Sequence, residues 1–181
     1  MSSTEALTFR GHLEKLGIVQ IDLAAQFQFK KFIGKGAFSD VYQAKHVETK
    51  SKVAAKVMKK PLGYPDSEVD TAVWDEFSQE VKMLTMAQGQ ENILRFHSTY
   101  VFRTSGEKLS GPCALAMITE YLDISLLDLV RKHGILPETS ARGVAESLLR
   151  ATTHLNASGL VHRDIKMSNV IWAKNNQYKY H

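Results

Sequence analysis

The sequence predicts an α+β fold in which strands carrying one helix come first, helices follow, and a small hairpin closes the chain. Three observations predict it. Strand-like apolar stretches begin at Phe27, Val41, Val53, Ile93 and Ala114. Apolar residues instead recur every three or four positions in the stretches beginning at Ser67 and Pro137. Glycine and proline punctuate the intervals, at Gly34 and Gly36, at Pro61, Gly63 and Pro65, and at Gly134 and Gly159. With 44% hydrophobic and 23% charged residues, the 181-residue chain is ordinary globular material, which excludes global disorder and collagen-like or proline-rich structure. The single cysteine, Cys113, excludes a disulfide framework and a multi-cysteine zinc site, and it suits an intracellular, reducing compartment, cytoplasmic or nuclear.

Residues 1–26 read as a polar extension whose apolar run, Ile18 to Ala25, forms a helix or an arm. No stretch there is long or apolar enough for a signal peptide or a membrane span. Phe27, Phe29, Phe32 and Ile33 make the first strand. Val41 to Ala44 and Val53 to Val57 make the next two, joined by a polar turn at Glu48 to Lys52. In the helix from Ser67 to Met86, Val73, Phe77, Val81 and Leu84 share one face. Strands follow at Ile93–Phe102 and Ala114–Glu120, linked by the polar segment 103–112. Ser125 stands three residues before Asp128, a capping-box spacing that opens a short helix ended by Gly134. Pro137 fits the first turn of a longer helix carrying Ala141, Ala145, Leu148 and Leu155 on its apolar face, with Gly159 as its stop. Val170–Trp172 and Tyr178–Tyr180 form the last hairpin.

Gly34-Lys35-Gly36-Ala37-Phe38-Ser39 is a glycine-rich turn between two strands. Without a Cβ, glycine lets backbone N–H groups lie directly over phosphate oxygens. The strand after the glycines excludes a dinucleotide-binding fingerprint, and the missing Lys-Ser/Thr ending excludes a P-loop. Taken alone, the string also suits an ordinary hairpin turn. Lys56 ends the apolar run Val53-Ala54-Ala55 and is costly to bury without an anion. Glu80, bordering the inward face of the Ser67–Met86 helix, is the chosen partner, and Glu76 competes with it. A lysine reaching to solvent beside several solvated acids is the bland alternative.

The most informative string is His162-Arg163-Asp164-Ile165-Lys166-Met167-Ser168-Asn169, which fits H-R-D-x-K-x-x-N between a helix stop and a strand. Phosphoryl transfer needs this grouping: a carboxylate for the attacking hydroxyl, a cation for the moving phosphoryl group and an amide oxygen for a metal.

In order and spacing the chain resembles the eukaryotic protein kinases from about Phe27 to His181. The resemblance implies a two-lobed architecture, with an antiparallel-sheet small lobe and hinge over 27–122 and the incomplete start of a helical large lobe over 123–181. It implies ATP and Mg2+ as cofactors, and a protein substrate offering a Ser or Thr hydroxyl, since Lys166 matches the serine/threonine-specific branch. Asp164 becomes the catalytic base, Lys166 the phosphate-neutralising cation and Asn169 a magnesium ligand, while Lys56 with Glu80 fixes the nucleotide phosphates. Gly34, Gly36 and Ser39 would line the phosphates. Ile33, Val41, Ala54 and Ile171 would sandwich the adenine, beside Thr119 as gatekeeper and the backbone of Glu120 and Leu122. Met167 replaces the family's common proline.

The family's Asp-Phe-Gly string does not occur in the 181 residues. The resemblance therefore reads the chain as a truncated kinase of little or no activity, its Pro137–Ser158 leucine face exposed. A non-catalytic module binding nucleotide or a partner protein is the alternative. Nucleic-acid binding would rest on Lys30-Lys31, Lys59-Lys60 and a net charge of +4, which solvated strand ends explain, so no such partner is expected. The seven histidines show no zinc-ligand spacing.

Overall fold

The computed structural model describes residues 19–20, 23–36, 39–58, 71–103, 113–173 and 177–180. They form two compact units, one drawn from residues 1–82 and 97–119 and the other from 83–96 and 120–181.

The first unit is built on a sheet of order β1-β5-β6-β4-β3-β2. Its strands are β1 (Val19–Gln20), β2 (Phe27–Lys35), β3 (Ser39–His46), β4 (Lys52–Met58), β5 (Phe96–Arg103) and β6 (Cys113–Glu120). β2, β3 and β4 pair antiparallel, as adjacent strands with short turns must, and β1 runs parallel to β5. Within the run Ile18–Ala25, Val19↔Tyr100 and Gln20↔Val101 are ladder partners, and a single helical turn, α1 (Leu23–Gln26), leads into β2. Period-two patterning divides β4, where Val53 and Ala55 are buried while Ala54 and Lys56 are half-buried. β6 lies between β5 and β4, and Leu115 to Thr119 are all buried, which explains its unbroken apolar run. Phe27, Ala44, Val53, Ala55, Ala116 and Ile118 form one core, with Phe27 set edge-on to His46 at 5.1 Å.

Helix α2 (Thr71–Ala87) buries Trp74, Phe77 and Val81. Trp74 was not among the residues expected on that face, and the side chain of Val73 lies outside the described residues. The loop at Pro61, Gly63 and Pro65, the expected start of the helix at Ser67 and the segment 104–112 also lie outside them. β5 begins at Phe96 rather than Ile93, because Gln88 claims the backbone there: its Oε1 accepts from Phe96 N at 3.0 Å and its Nε2 donates to Leu94 O at 3.0 Å.

The second unit holds β7 (Ile124–Ser125), α3 (Leu126–His133), α4 (Glu138–Ala157), β8 (Val170–Ala173) and β9 (Gln177–Tyr180). The expected final hairpin is a three-stranded sheet, β7-β8-β9, since Ile124 and Ser125 pair with Trp172 and Ile171. The N-cap that the spacing predicts at α3 forms, but Asp128 takes the Ser125 hydroxyl rather than the backbone N–H of a full capping box. Ser125 Oγ accepts from Asp128 N at 3.1 Å and donates to Asp128 Oδ2 at 2.6 Å. Gly134 ends this helix at φ +82°. Ser125→Ala is expected to cost about 1 kcal/mol, read as a lower urea midpoint with an unchanged slope.

Pro137 is the residue before α4, with extended ψ of 147°, rather than part of its first turn. The apolar face of α4 is also rotated from the expected one. Ala141 and Ala145 are exposed, and the buried positions are Val144, Ser147, Ala151 and Leu155. Alanine is small enough to sit on either side of a helix, so Val144 and Leu155 decide the orientation. Nor is the leucine face laid bare: Leu155 is buried, Leu148 packs on the core, and only Leu149 is largely exposed. That core joins Ala87, Ile93, Leu126, Val144, Ala151, Leu155, Val170 and Tyr178. Among the described residues no helix is long and apolar enough to cross a membrane.

Candidate active site

In the first unit the strand register assembles one face. Gly34 is the ladder partner of Val41, Val41 of Lys56, and Gln43 of Ala54. Directly opposed residues share a face and neighbours alternate, so Gly34, Val41, Ala54 and Lys56 lie on the same side of the sheet. Val53, Ala55 and Ala44 take the other side and are buried. Ile33 falls at a register shift between Phe32 and Gly34 and is half exposed.

The two glycines differ in what they need. Gly36 N donates to Ser39 O at 2.8 Å, and a Cβ on Gly36 would lie 3.1 Å from Ser39 Oγ and 3.3 Å from Ser39 O. The turn itself therefore asks for glycine at 36. A Cβ on Gly34 would meet Val41 Cβ at 3.8 Å, an ordinary contact. Nothing among the described residues excludes a side chain there, and a closely approaching ligand gives bare backbone at that point a use. Ser39 is buried beside the turn, and Ala37 and Phe38 lie outside the described residues.

Lys56 Nζ donates to both carboxylate oxygens of Glu80, at 2.5 and 2.7 Å. The two side chains are 23% and 24% exposed. Glu76, the competing acid, is exposed. The helix resolves the choice: with Trp74, Phe77 and Val81 turned inward, position 80 borders the buried face and position 76 points to solvent.

In the second unit, α4 stops at Gly159, whose φ is +71°, and the His162–Asn169 string follows in irregular backbone up to the turn at Met167. Arg163 holds a left-handed φ of +65°, uncommon for a residue with a side chain. Asp164 N donates to His162 Nδ1 at 3.2 Å across this bend. Lys166 Nζ lies 2.7 Å from Asp164 Oδ2. Asn169 Nδ2 donates to Asp164 Oδ2 and to Asp164 O, both at 3.0 Å. The turn Met167–Asn169, closed by Asn169 N on Lys166 O at 3.0 Å, sets Asn169 for both bonds. The donors from Lys166 and then Asn169 hold the exposed Asp164 carboxyl below its ordinary range, so it is ionised at neutral pH. With its nitrogen used, the side chain of Asn169 offers the amide oxygen, the hard donor type that a magnesium ion takes. Among the described residues no cluster of three or more His, Cys, Asp or Glu side chains is placed to hold a metal.

Thr119 is buried on β6. Glu120 N donates to Arg95 O at 2.9 Å, while its Oε1 accepts from Arg95 N at 2.7 Å. The same carboxylate receives Lys179 Nζ at 2.7 and 2.9 Å. Sequence reasoning missed Lys179. The signal was present, because the rule that a lysine on a buried strand needs an anion applies to Tyr178-Lys179-Tyr180 as it does to Lys56. Ile171 sits on β8 opposite Lys179, and Leu122 follows β6 in irregular backbone, half-buried.

The protein kinase domain family matches residues 27–180. The chain belongs to that family. This kinase domain is 32% identical over 146 residues to the serine/threonine-protein kinase PKH2 of Saccharomyces cerevisiae, covering 80% of this chain and 12% of that protein. It is 28% identical over 161 residues to Misshapen-like kinase 1 of Rattus norvegicus, covering 87% of this chain and 11% of that one. With the serine/threonine-protein kinase mig-15 of Caenorhabditis elegans it shares 27% over 168 residues, 86% of this chain and 14% of the relative. The chain thus spans a small part of the length of the relatives it matches. Fold class and family stand as the catalytic string implied: an α+β kinase-type fold.

Proposed function

We propose that this kinase domain serves the ATP-dependent transfer of a phosphoryl group to a serine or threonine hydroxyl of a protein. The observation that carries the reading is the contact of Lys166 with Asp164, a cation fixed beside an ionised carboxylate two residues away. ATP would supply the γ-phosphoryl group, and Mg2+ would offset the charge on its phosphates. Asp164 receives the proton of the substrate hydroxyl as its oxygen bonds to the γ-phosphorus and the bond to the ADP oxygen breaks. Lys166 neutralises charge on the moving group. Lys56, braced by Glu80, would hold the nucleotide phosphates, and Asn169 would give its amide oxygen to the metal. Gly34, Gly36 and Ser39 belong to the phosphate turn. Ile33, Val41, Ala54 and Ile171 cover the adenine faces, with Thr119 as gatekeeper beside the backbone of Glu120 and Leu122. Since Glu120 N–H is bonded to Arg95 O, its carbonyl is the group this reading assigns to the adenine edge. Residues 27–122 are assigned to the small lobe and hinge and 123–181 to the large lobe.

Phosphorylation of serine and threonine peptides by the protein tests the reaction, and label appearing on tyrosine peptides alone would overturn it. The pH profile tests the roles. A carboxyl with a lowered pKa keeps its charge to lower pH, so the acid limb of kcat/KM should lie below the ordinary carboxylate range. Lys166→Met removes the first cause of that lowering and should move the limb to higher pH. An unmoved limb would refute the assignment of Asp164.

A second reading, a module that binds nucleotide or a partner without catalysis, predicts ATP binding that needs Lys56 with no Asp164-dependent transfer. Asp164-dependent turnover would sink this second reading.

A further inference from the structure

We infer that Lys179 is a positioning residue for purine recognition, acting through Glu120; the inference rests on the nucleotide site proposed above. Lys179 and Glu120 are 59 positions apart, yet Lys179 Nζ bridges both carboxylate oxygens, at 2.7 and 2.9 Å. The pair is well shielded, with side chains only 13% and 21% exposed, less than the Lys56–Glu80 pair. Surface ion pairs add little, but a shielded, two-pronged pair fixes the backbones that carry it.

Each end of this pair is tied to a group that the proposed site uses. On one side, Glu120 is the last residue of β6, and its backbone N–H and carboxylate are both bonded to Arg95. Its main chain is therefore held from two directions, and the carbonyl assigned to the adenine edge goes with it. On the other side, Lys179 stands opposite Ile171 in the β8–β9 ladder, and Ile171 is assigned to an adenine face. A third tie, Asn92 Nδ2 on Tyr178 O at 3.0 Å, anchors β9 next to Lys179 and joins it to the segment that also carries Arg95. A closed circuit results: Arg95, Glu120, Lys179, β9, Asn92 and back along the chain. The adenine edge and one adenine face then have a fixed mutual position, set by a lysine that touches neither nucleotide nor reacting atoms.

Binding of ATP and GTP by calorimetry tests this. The two nucleotides share phosphates and ribose and differ at the purine edge, so their ratio reports the hinge and not general stability. Lys179→Met should weaken ATP binding about tenfold, the worth of one charge-assisted hydrogen-bonded contact. The ATP-over-GTP preference should fall several-fold, and KM for ATP should rise with kcat at saturation little changed. Lys179→Arg, which can grip the carboxylate with two parallel bonds, should restore the preference. If Lys179→Met fails to fold through its unpaired acid, the double variant Glu120→Gln/Lys179→Met leaves no buried charge and should show the same loss of preference. An unchanged ratio, or an equal loss for ATP and GTP, would overturn the inference. Wild-type protein that binds neither nucleotide would instead overturn the site on which it rests.

Discussion

Replacing Asp164 with asparagine is expected to lower kcat by about 10²- to 10⁴-fold, the usual contribution of a positioned general base. Nucleotide affinity and thermal stability should hardly move. Asp164 is exposed, with 58% of its side chain accessible, so no core packing depends on it. Asparagine keeps the size and an oxygen that Lys166 can bond, while losing the capacity to take the hydroxyl proton. Measuring kcat, nucleotide Kd and Tm on one preparation separates these effects. Retained kcat would remove Asp164 from the reaction. A large fall in Tm would make the residue structural, contrary to its setting in an exposed loop tied by Lys166 and Asn169.

The second large effect is expected at Lys56. Lys56→Met should lower ATP affinity and phosphoryl transfer by about 10²- to 10³-fold, the range found when one preorganised charge-stabilising group is removed. Its consequence for stability differs from that at Asp164. The side chain of Glu80 is 24% exposed and takes both its bonds from Lys56, so the variant leaves a carboxylate shielded without its cation. That should cost about 1 to 3 kcal/mol. Adding Glu80→Gln should recover much of the stability and none of the affinity, because it removes the stranded charge without replacing the cation. ATP-induced stabilisation of the 181-residue chain that survives in Lys56→Met would place the phosphates elsewhere.

These expectations draw on features that were legible to different degrees. The grouping in the His162–Asn169 string could be read because its contacts are local. Asp164, Lys166 and Asn169 lie within six positions, and the turn that joins them lies among them. The helix cap by Ser125 on Asp128 was legible for the same reason. The Lys56–Glu80 pair was half legible. Lys56 announced a need for an anion, yet Glu76 and Glu80 lie one helical turn apart, and only the burial of Trp74 and Phe77 chose between them. The face of α4 was misjudged, since alanines report helical spacing without reporting which side is buried. β1 and β7 were missed because two-residue strands have no periodicity to detect.

The sequence by itself determined the α+β class, the kinase family and the local grouping of Asp164, Lys166 and Asn169, because these depend on patterning and on groups that lie within a few residues of one another. Tertiary structure decided what joins residues far apart: which glutamate answers Lys56, which side of α4 is buried, and that Lys179 grips Glu120 from 59 positions away. The physical reason is that an ion pair or a packed face is settled by shared burial in space, and a linear pattern states the demand for a partner without stating where the chain will bring one.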